Sequence, residues 1–211
     1  LSLNNLSAGL HNVTAAYAGD MRYSAKSASD RFVVDQITPT IIIVTDAIKV
    51  GQNATITVTI PENVTGNVTI HVGDKTSSEL TINGHTVEWN ATGLAYGNYS
   101  VIVYYNGDVN YTKSSNTTNL TVDKWQSKVN ITIEELTHMV GETFTIKIGN
   151  NTFANVTING KSYAVDADGF VNITTADLAA GEYRVTATTP ESARYFANST
   201  TTIFNIIKYN S

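Results

Sequence analysis

Apolar and polar residues alternate with a period of two through most of the chain, and helical periodicity is almost absent. In ATITVTI, Ala54–Ile60, the residues Ile56, Val58 and Ile60 fall on one face with threonines opposite. NVTIHV, Asn67–Val72, does the same with Val68, Ile70 and Val72. Further on, ETFTIKI at Glu142–Ile148 turns Phe144, Ile146 and Ile148 inward, and ANVTI leads into Asn159-Gly160. Such runs predict short antiparallel strands with one face in a core and the other in water. Asn83-Gly84, Asn159-Gly160 and Asp168-Gly169 read as hairpin turns of the type that needs positive φ.

The pattern also repeats on a larger scale. GLHNVTAAYAGDMRY begins at Gly9, GNYSVIVYYNGDVNY at Gly97 and GEYRVTATTPESARY at Gly181, with glycine and final tyrosine in register. Each glycine is followed 23 residues later by an apolar residue closing a strand: Phe32, Leu120 and Phe204. The glycines lie 88 and 84 residues apart, the length of one small domain per period. About seven short strands with turn signals at intervals of roughly ten residues predict a two-sheet sandwich for each period.

In this alignment Leu1 matches Trp89 and Ile173, so residues 1–36 correspond to the corner and last two strands of a sandwich. A lone hairpin is marginal in water because its apolar face has nothing to pack on. Here that face comprises Leu6, Val13, Ala15, Tyr17, Phe32 and Val34. The expectation is that strands from outside these residues order it, from a neighbouring copy or from upstream polypeptide.

Within the repeated stretch, Tyr99 and Tyr183 stand two residues after the glycine, where a tyrosine corner is expected to bond a backbone group across the sandwich end. His11 takes that place in the first copy and is expected to weaken its corner. Val101, Val103 and Tyr105, and likewise Val185 and Ala187, point inward. Gly19-Asp20 and Gly107-Asp108 form the following turn, whereas Pro190-Glu191-Ser192 breaks the pattern. Tyr23, Tyr111 and Tyr195 are expected to fold back over the core end. The outward positions of this strand are Ile102 and Tyr104 in the second copy, against Thr14 and Ala16 or Thr186 and Thr188 in the others. An apolar pair on a hydroxylated face is a candidate contact patch, with cover by a loop of the same domain as the alternative.

Composition narrows the partners. Only 15% of the 211 residues are charged, against about 25% in an average chain, and the net charge is -5. Without a clustered basic face, nucleic acid is excluded as a partner. The absence of cysteine removes disulfides, thiolate nucleophiles and cysteine-built zinc sites. No membrane-length apolar run or leader pattern is present, so no membrane insertion is expected of this segment, which reads as a portion of something larger. Asn-X-Ser/Thr sequons occur at Asn12, Asn53, Asn63, Asn67, Asn90, Asn98, Asn110, Asn116, Asn119, Asn130, Asn155, Asn172 and Asn198. Alternation in a threonine-rich β protein generates some of them for structural reasons, but their density points to extracellular exposure and N-glycosylation.

Candidate chemistry is sparse. His11, His71, His85 and His138 share no spacing, and no Gly-x-Ser-x-Gly elbow exists, so no catalytic, cofactor-binding or metal-ligating residue is assigned and no enzyme activity is expected. Asp166-Ala167-Asp168-Gly169 lacks the further oxygens and distal glutamate of a calcium loop and reads as a turn. Glu134 and Glu135 are adjacent, so on a strand they would point to opposite faces and could share a site only across a bend. Trp125, at the glycine-free joint Asp123–Ser127, reads as packing between domains, and Trp89 as an inward residue.

The pattern Leu-x-x-Gly-x-Tyr-x-Val, Tyr-x-Gly-Asp-x-x-Tyr, a Ser/Thr/Asn run and a last strand ending Leu-Thr-Val resembles the bacterial Ig-like repeat of the group 3 type. Such repeats are strung in tandem in adhesin-like surface proteins, notably of methanogenic archaea. The resemblance implies an all-β chain of tandem immunoglobulin-like β-sandwiches: the end of one domain at 1–36 and two complete domains at 37–124 and 125–211. It implies a structural stalk or adhesion segment on the cell surface, partnered by neighbouring repeats or copies and by surface glycans or proteins. A carbohydrate-binding accessory module is the alternative, as is a filament subunit completed by strands of a neighbour.

Overall fold

The computed structural model describes residues 3–149 and 154–209. The chain divides into two compact units, Leu1–Asp123 and Lys124–Ser211.

The first unit opens with a hairpin. β1 (Gly9–Tyr17) pairs antiparallel with β2 (Lys26–Val34) along its whole length, from Gly9 opposite Val34 to Tyr17 opposite Lys26. Among the described residues neither strand pairs with a third. Nine strands then build a sandwich: β3 (Ile42–Val44), β4 (Ile48–Lys49), β5 (Ala54–Thr59), β6 (Asn67–Val72), β7 (Lys75–Thr76), β8 (Leu80–Thr81), β9 (Thr86–Ala91), β10 (Gly97–Tyr105) and β11 (Ser114–Asp123). One sheet runs β3-β5-β9; the other runs β4-β11-β10-β6-β7, with β8 also on β6. The alternation places the core directly. Ile56, Val58, Val68, Ile70, Val72, Val101 and Val103 are all fully buried between the sheets, while the intervening threonines and asparagines face outward. Trp89 is half-buried against this core.

The second unit repeats the plan with β12 (Trp125–Gln126), β13 (Asn130–Thr132), β14 (Thr137–Met139), β15 (Thr143–Gly149), β16 (Asn155–Ile158), β17 (Lys161–Tyr163), β18 (Phe170–Thr174), β19 (Gly181–Thr189), β20 (Tyr195–Phe196) and β21 (Asn198–Ile207). Its sheets are β13-β15-β18 and β14-β21-β19-β16-β17, and β12 pairs with β20. Phe204 is fully buried at the centre of an aromatic cluster, stacked on Tyr183 at 5.3 Å and edge-on to Phe144 at 5.1 Å. Phe144 itself is only half-buried.

Three expectations need correction. The strands are not all antiparallel: β4 runs parallel to β11 and β14 parallel to β21. In each unit the first strand of the sandwich divides, giving one piece to each sheet, and pairings of two or three residues leave no hairpin signal in the sequence. Only Asn159-Gly160, with φ of 46° and 83°, joins paired neighbours, β16 and β17. Asn83-Gly84 and Asp168-Gly169 instead carry the chain between sheets, because β8 and β9, and β17 and β18, belong to different sheets. Finally, Tyr111 packs on the core, but Tyr23 and Tyr195 are exposed.

Candidate functional site

The turn after the penultimate strand of the first unit is densely bonded. Gly107, at φ 82°, brings the chain so close to Tyr111 and Lys113 that a Cβ would lie 3.1 Å from backbone atoms of both. Asp108 follows. One carboxylate oxygen accepts the N–H groups of Asn110 and Tyr111, each at 2.8 Å, and closes the turn. The other accepts both the N–H and the hydroxyl of Thr65, again at 2.8 Å. The Tyr105 hydroxyl donates to the Thr65 carbonyl at 2.9 Å. Partial burial alone would raise the Asp108 carboxyl, but the bonds from Thr65, Asn110 and Tyr111 outweigh it and lower its pKa to about 2. Burial, together with the Asp108 charge, raises Tyr105 above its ordinary value.

Both other copies keep this turn. Asp20 Oδ1 accepts the N–H groups of Arg22 and Tyr23 at 2.7 and 2.8 Å, and the Asp20 N–H donates to the Tyr23 carbonyl. In the third copy Ser192 substitutes for the aspartate: its Oγ accepts the N–H of Tyr195 at 3.0 Å, and its own N–H donates to the Tyr195 carbonyl at 2.9 Å. The break in the sequence pattern therefore does not change the turn, since a hydroxyl at that position offers the same acceptor.

The corner residues form a similar series. The Tyr99 hydroxyl donates to the Ala95 carbonyl at 3.0 Å and that of Tyr183 to the Ala179 carbonyl at 2.9 Å, four residues upstream in each case rather than across the sandwich. His11 makes the equivalent contact, with Nε2 2.7 Å from the Ser7 carbonyl and its ring stacked on Phe32 at 5.5 Å. The histidine thus keeps the corner that its substitution was expected to weaken. Replacing Tyr99 or Tyr183 by Phe is expected to cost about 1 kcal/mol in that unit only. Unit-resolved denaturant melts check this, and unchanged midpoints for both variants would show the hydroxyls to be merely solvated.

Every sequon asparagine named above is exposed except Asn67, which is half-buried. Three of the named asparagines are engaged through the atom a glycan would take, Asn67 Nδ2 donating to Glu79 at 3.3 Å. Asn116 Nδ2 donates to the Ile41 carbonyl at 2.7 Å, and Asn198 Nδ2 to the Ser127 carbonyl at 2.6 Å. Each thereby ties the last strand of its sandwich to the segment that leads into the first.

The outward pair on β10 sits beside a histidine. Tyr104 is 44% exposed and meets the His71 ring edge-on at 5.3 Å, while Ile102 is half-buried opposite His71 on β6. His71 is also bonded to Thr76 at 3.1 Å. The patch is small and mixed in polarity.

The second unit carries a concave feature. A bend at 134–136 breaks the strand, so Glu134 and Glu135 line one open cleft of about 440 Å³ with His138, Glu142, Thr143, Phe144 and Thr145. His138 is buried, stacked on Phe144 at 3.6 Å, with Nδ1 3.6 Å from Glu142. Glu142 also accepts the Met139 N–H at 2.8 Å, which makes it a turn cap. Elsewhere Asp166 caps its own loop by accepting from the N–H groups of Asp168 and Phe170. Among the described residues no group of three or more His, Asp or Glu side chains is placed to hold a metal. No helix among them is long and apolar enough to cross a membrane. Trp125 is tied by its backbone within the second unit, its N–H donating to the Arg194 carbonyl.

No family model and no curated protein matches the sequence. Solved structures do match. The titin domains Z1Z2 in complex with telethonin align over 84% of this chain and 100% of theirs, at 12% identity and a TM-score of 0.52. The fibronectin(III)-like modules of Clostridium thermocellum CbhA align over 80% and 94% at 15% identity and a TM-score of 0.34, and the tandem Ig repeats of Dlar over 82% and 98% at 14% and 0.29. The titin pair shows the fold. The chain is an all-β protein of tandem immunoglobulin-like β-sandwiches.

Proposed function

We propose that the chain is a structural stalk or adhesion segment of an extracellular, N-glycosylated surface protein, built from repeats resembling the group 3 bacterial Ig-like type of archaeal adhesin-like proteins. The observation that carries this reading is one strand–turn–strand motif built three times on the same bonds, with an outer surface of threonine and asparagine rather than charge. A module that exists to be stacked needs a sturdy end turn and a well-hydrated, low-charge surface, and selection on a reactive cleft is not required. The domain plan is the partial domain 1–36 followed by sandwiches at 37–124 and 125–211.

Peptide mapping of material from its natural surface tests the reading. Glycan is expected on the exposed Asn53, Asn98 and Asn110, and not on Asn116 or Asn198, whose Nδ2 atoms are held by backbone carbonyls. An intact mass equal to the bare polypeptide would sink the glycosylated surface reading. The exposed Tyr104 beside His71 favours carbohydrate binding as the second reading. A glycan array separates the two: specific retention lost in Tyr104→Ala would establish the binding module instead.

A further inference from the structure

The hairpin β1–β2 is a copy of β10–β11 without its covering. Gly9 corresponds to Gly97, so Val13, Ala15 and Tyr17 correspond to Val101, Val103 and Tyr105. Val101 and Val103 are 0% exposed and Tyr105 2%, whereas Val13 is 40% exposed and Tyr17 46%. In the sandwich, three things make that difference. β6 pairs with β10 in the register Val101–Val72, Val103–Ile70 and Tyr105–Val68. The sheet β3-β5-β9 covers the inward face. Thr65, leading into β6 through Gly66, closes on the second oxygen of Asp108.

The hairpin retains the receiving half of each contact. Its β1 edge is unpaired among the described residues. Asp20 has the turn bonds of Asp108 through Oδ1, and the neighbouring Tyr17 hydroxyl together with those bonds lowers its carboxyl pKa. In the sandwich the tyrosine at this position also donates its hydroxyl to the carbonyl of the incoming Thr65. The electrostatic match is specific: a carboxylate oxygen is set where a paired backbone N–H and threonine hydroxyl would arrive.

We propose that the hairpin is the acceptor for an immunoglobulin-type half-sandwich supplied from outside residues 3–36, whose edge strand enters through a Val-Thr-Gly turn like Val64–Gly66. The threonine closes on Asp20, the strand pairs with β1 from Val13 to Tyr17, and the second sheet covers Val13, Ala15, Tyr17, Phe32 and Val34. The proposal rests on the tandem-sandwich reading but not on glycosylation or location, so it is tested on the unglycosylated chain.

The probe is the protein's own half-sandwich. Residues 37–88 are joined ahead of residue 1 of the full chain, and amide exchange is followed along β1. Protection of residues 13–17 is expected to rise roughly a hundredfold, to that of residues 101–105. Asp20→Asn in this fusion, which opposes an amide N–H₂ to the threonine donors, is expected to remove roughly tenfold of that protection. Added in trans, a peptide of residues 61–75 is expected to protect the same amides, and less so when its threonine corresponding to Thr65 is Val. Unchanged exchange in the fusion would overturn the proposal. So would equal protection with and without Asp20→Asn, which would mean unspecific cover of an apolar face. Concentration-dependent protection of the unfused chain that is insensitive to Asp20→Asn would mean that a second copy merely covers the apolar face, and would overturn it too.

Discussion

Phe204→Ala is expected to lower the stability of the second unit by about 4 kcal/mol, the upper range for removing a buried aromatic. A drop of roughly 20 °C in its melting temperature follows for a domain of this size. Phe204 is fully buried and touches three other rings, Phe144, Tyr183 and His138, so its removal opens a cavity that those rings, fixed on three different strands, cannot fill by rotating. Calorimetry of the full chain checks this. One transition should move while that of residues 3–123 stays, since Phe204 belongs to the core cluster of the second unit. A shift of less than about 1 kcal/mol would mean the cluster relaxes around the gap.

Asp108→Ala has the second largest expected effect, about 3 kcal/mol on the first unit, because hydrogen bonds to a charged acceptor are worth more than neutral ones and this carboxylate accepts four. Removing it also strands the Thr65 donors. Acid should reproduce part of the loss. The carboxyl is lowered from 3.8 to about 2 in the folded chain, so its contribution is complete above the unfolded value of 3.8 and disappears as pH falls towards about 2. Urea titrations between pH 5 and pH 2, limits spanning the Asp range, should show a slope in the wild type that Asp108→Asn flattens. Equal slopes in both would show that other carboxylates carry the acid sensitivity. Ser192→Ala, at the equivalent turn, is expected to cost the second unit less, because a neutral hydroxyl accepts fewer bonds there.

The two turns also show where sequence reading reaches its limit. Gly107-Asp108 and Gly19-Asp20 could be read as turns from residue type, since the first residue needs positive φ and the second can cap the loop. That Asp108 also fastens the loop before β6, 43 residues earlier, could not, because no local pattern marks a partner so distant in sequence. Pro190-Glu191-Ser192 breaks the sequence pattern without breaking the turn. Ser192 differs in identity from aspartate, but the turn asks only for an oxygen acceptor at that point. His11 teaches the same: an imidazole nitrogen reaches the carbonyl that a phenol reaches elsewhere.

What the sequence by itself determined is the strand content, the faces, and the internal repetition. Period-two alternation leaves no other way to bury Ile56, Val58, Val68, Ile70, Val101 and Val103 together, and each is buried. Tertiary structure alone decided the pairings that join distant segments. The divided first strand runs parallel to the last through only two or three residues, too few to leave a periodic trace. Two of the three expected hairpin turns became crossings between sheets, because a turn residue specifies how the chain bends and not which sheet receives it. The bend at 134–136 gathered Glu134, Glu135 and Glu142 beside a buried histidine, although adjacent strand residues diverge. Alternation is a local property of the chain, enforced residue by residue by the pleat. Partner choice depends on which apolar faces meet in space, and that is settled only when the two sheets close on each other.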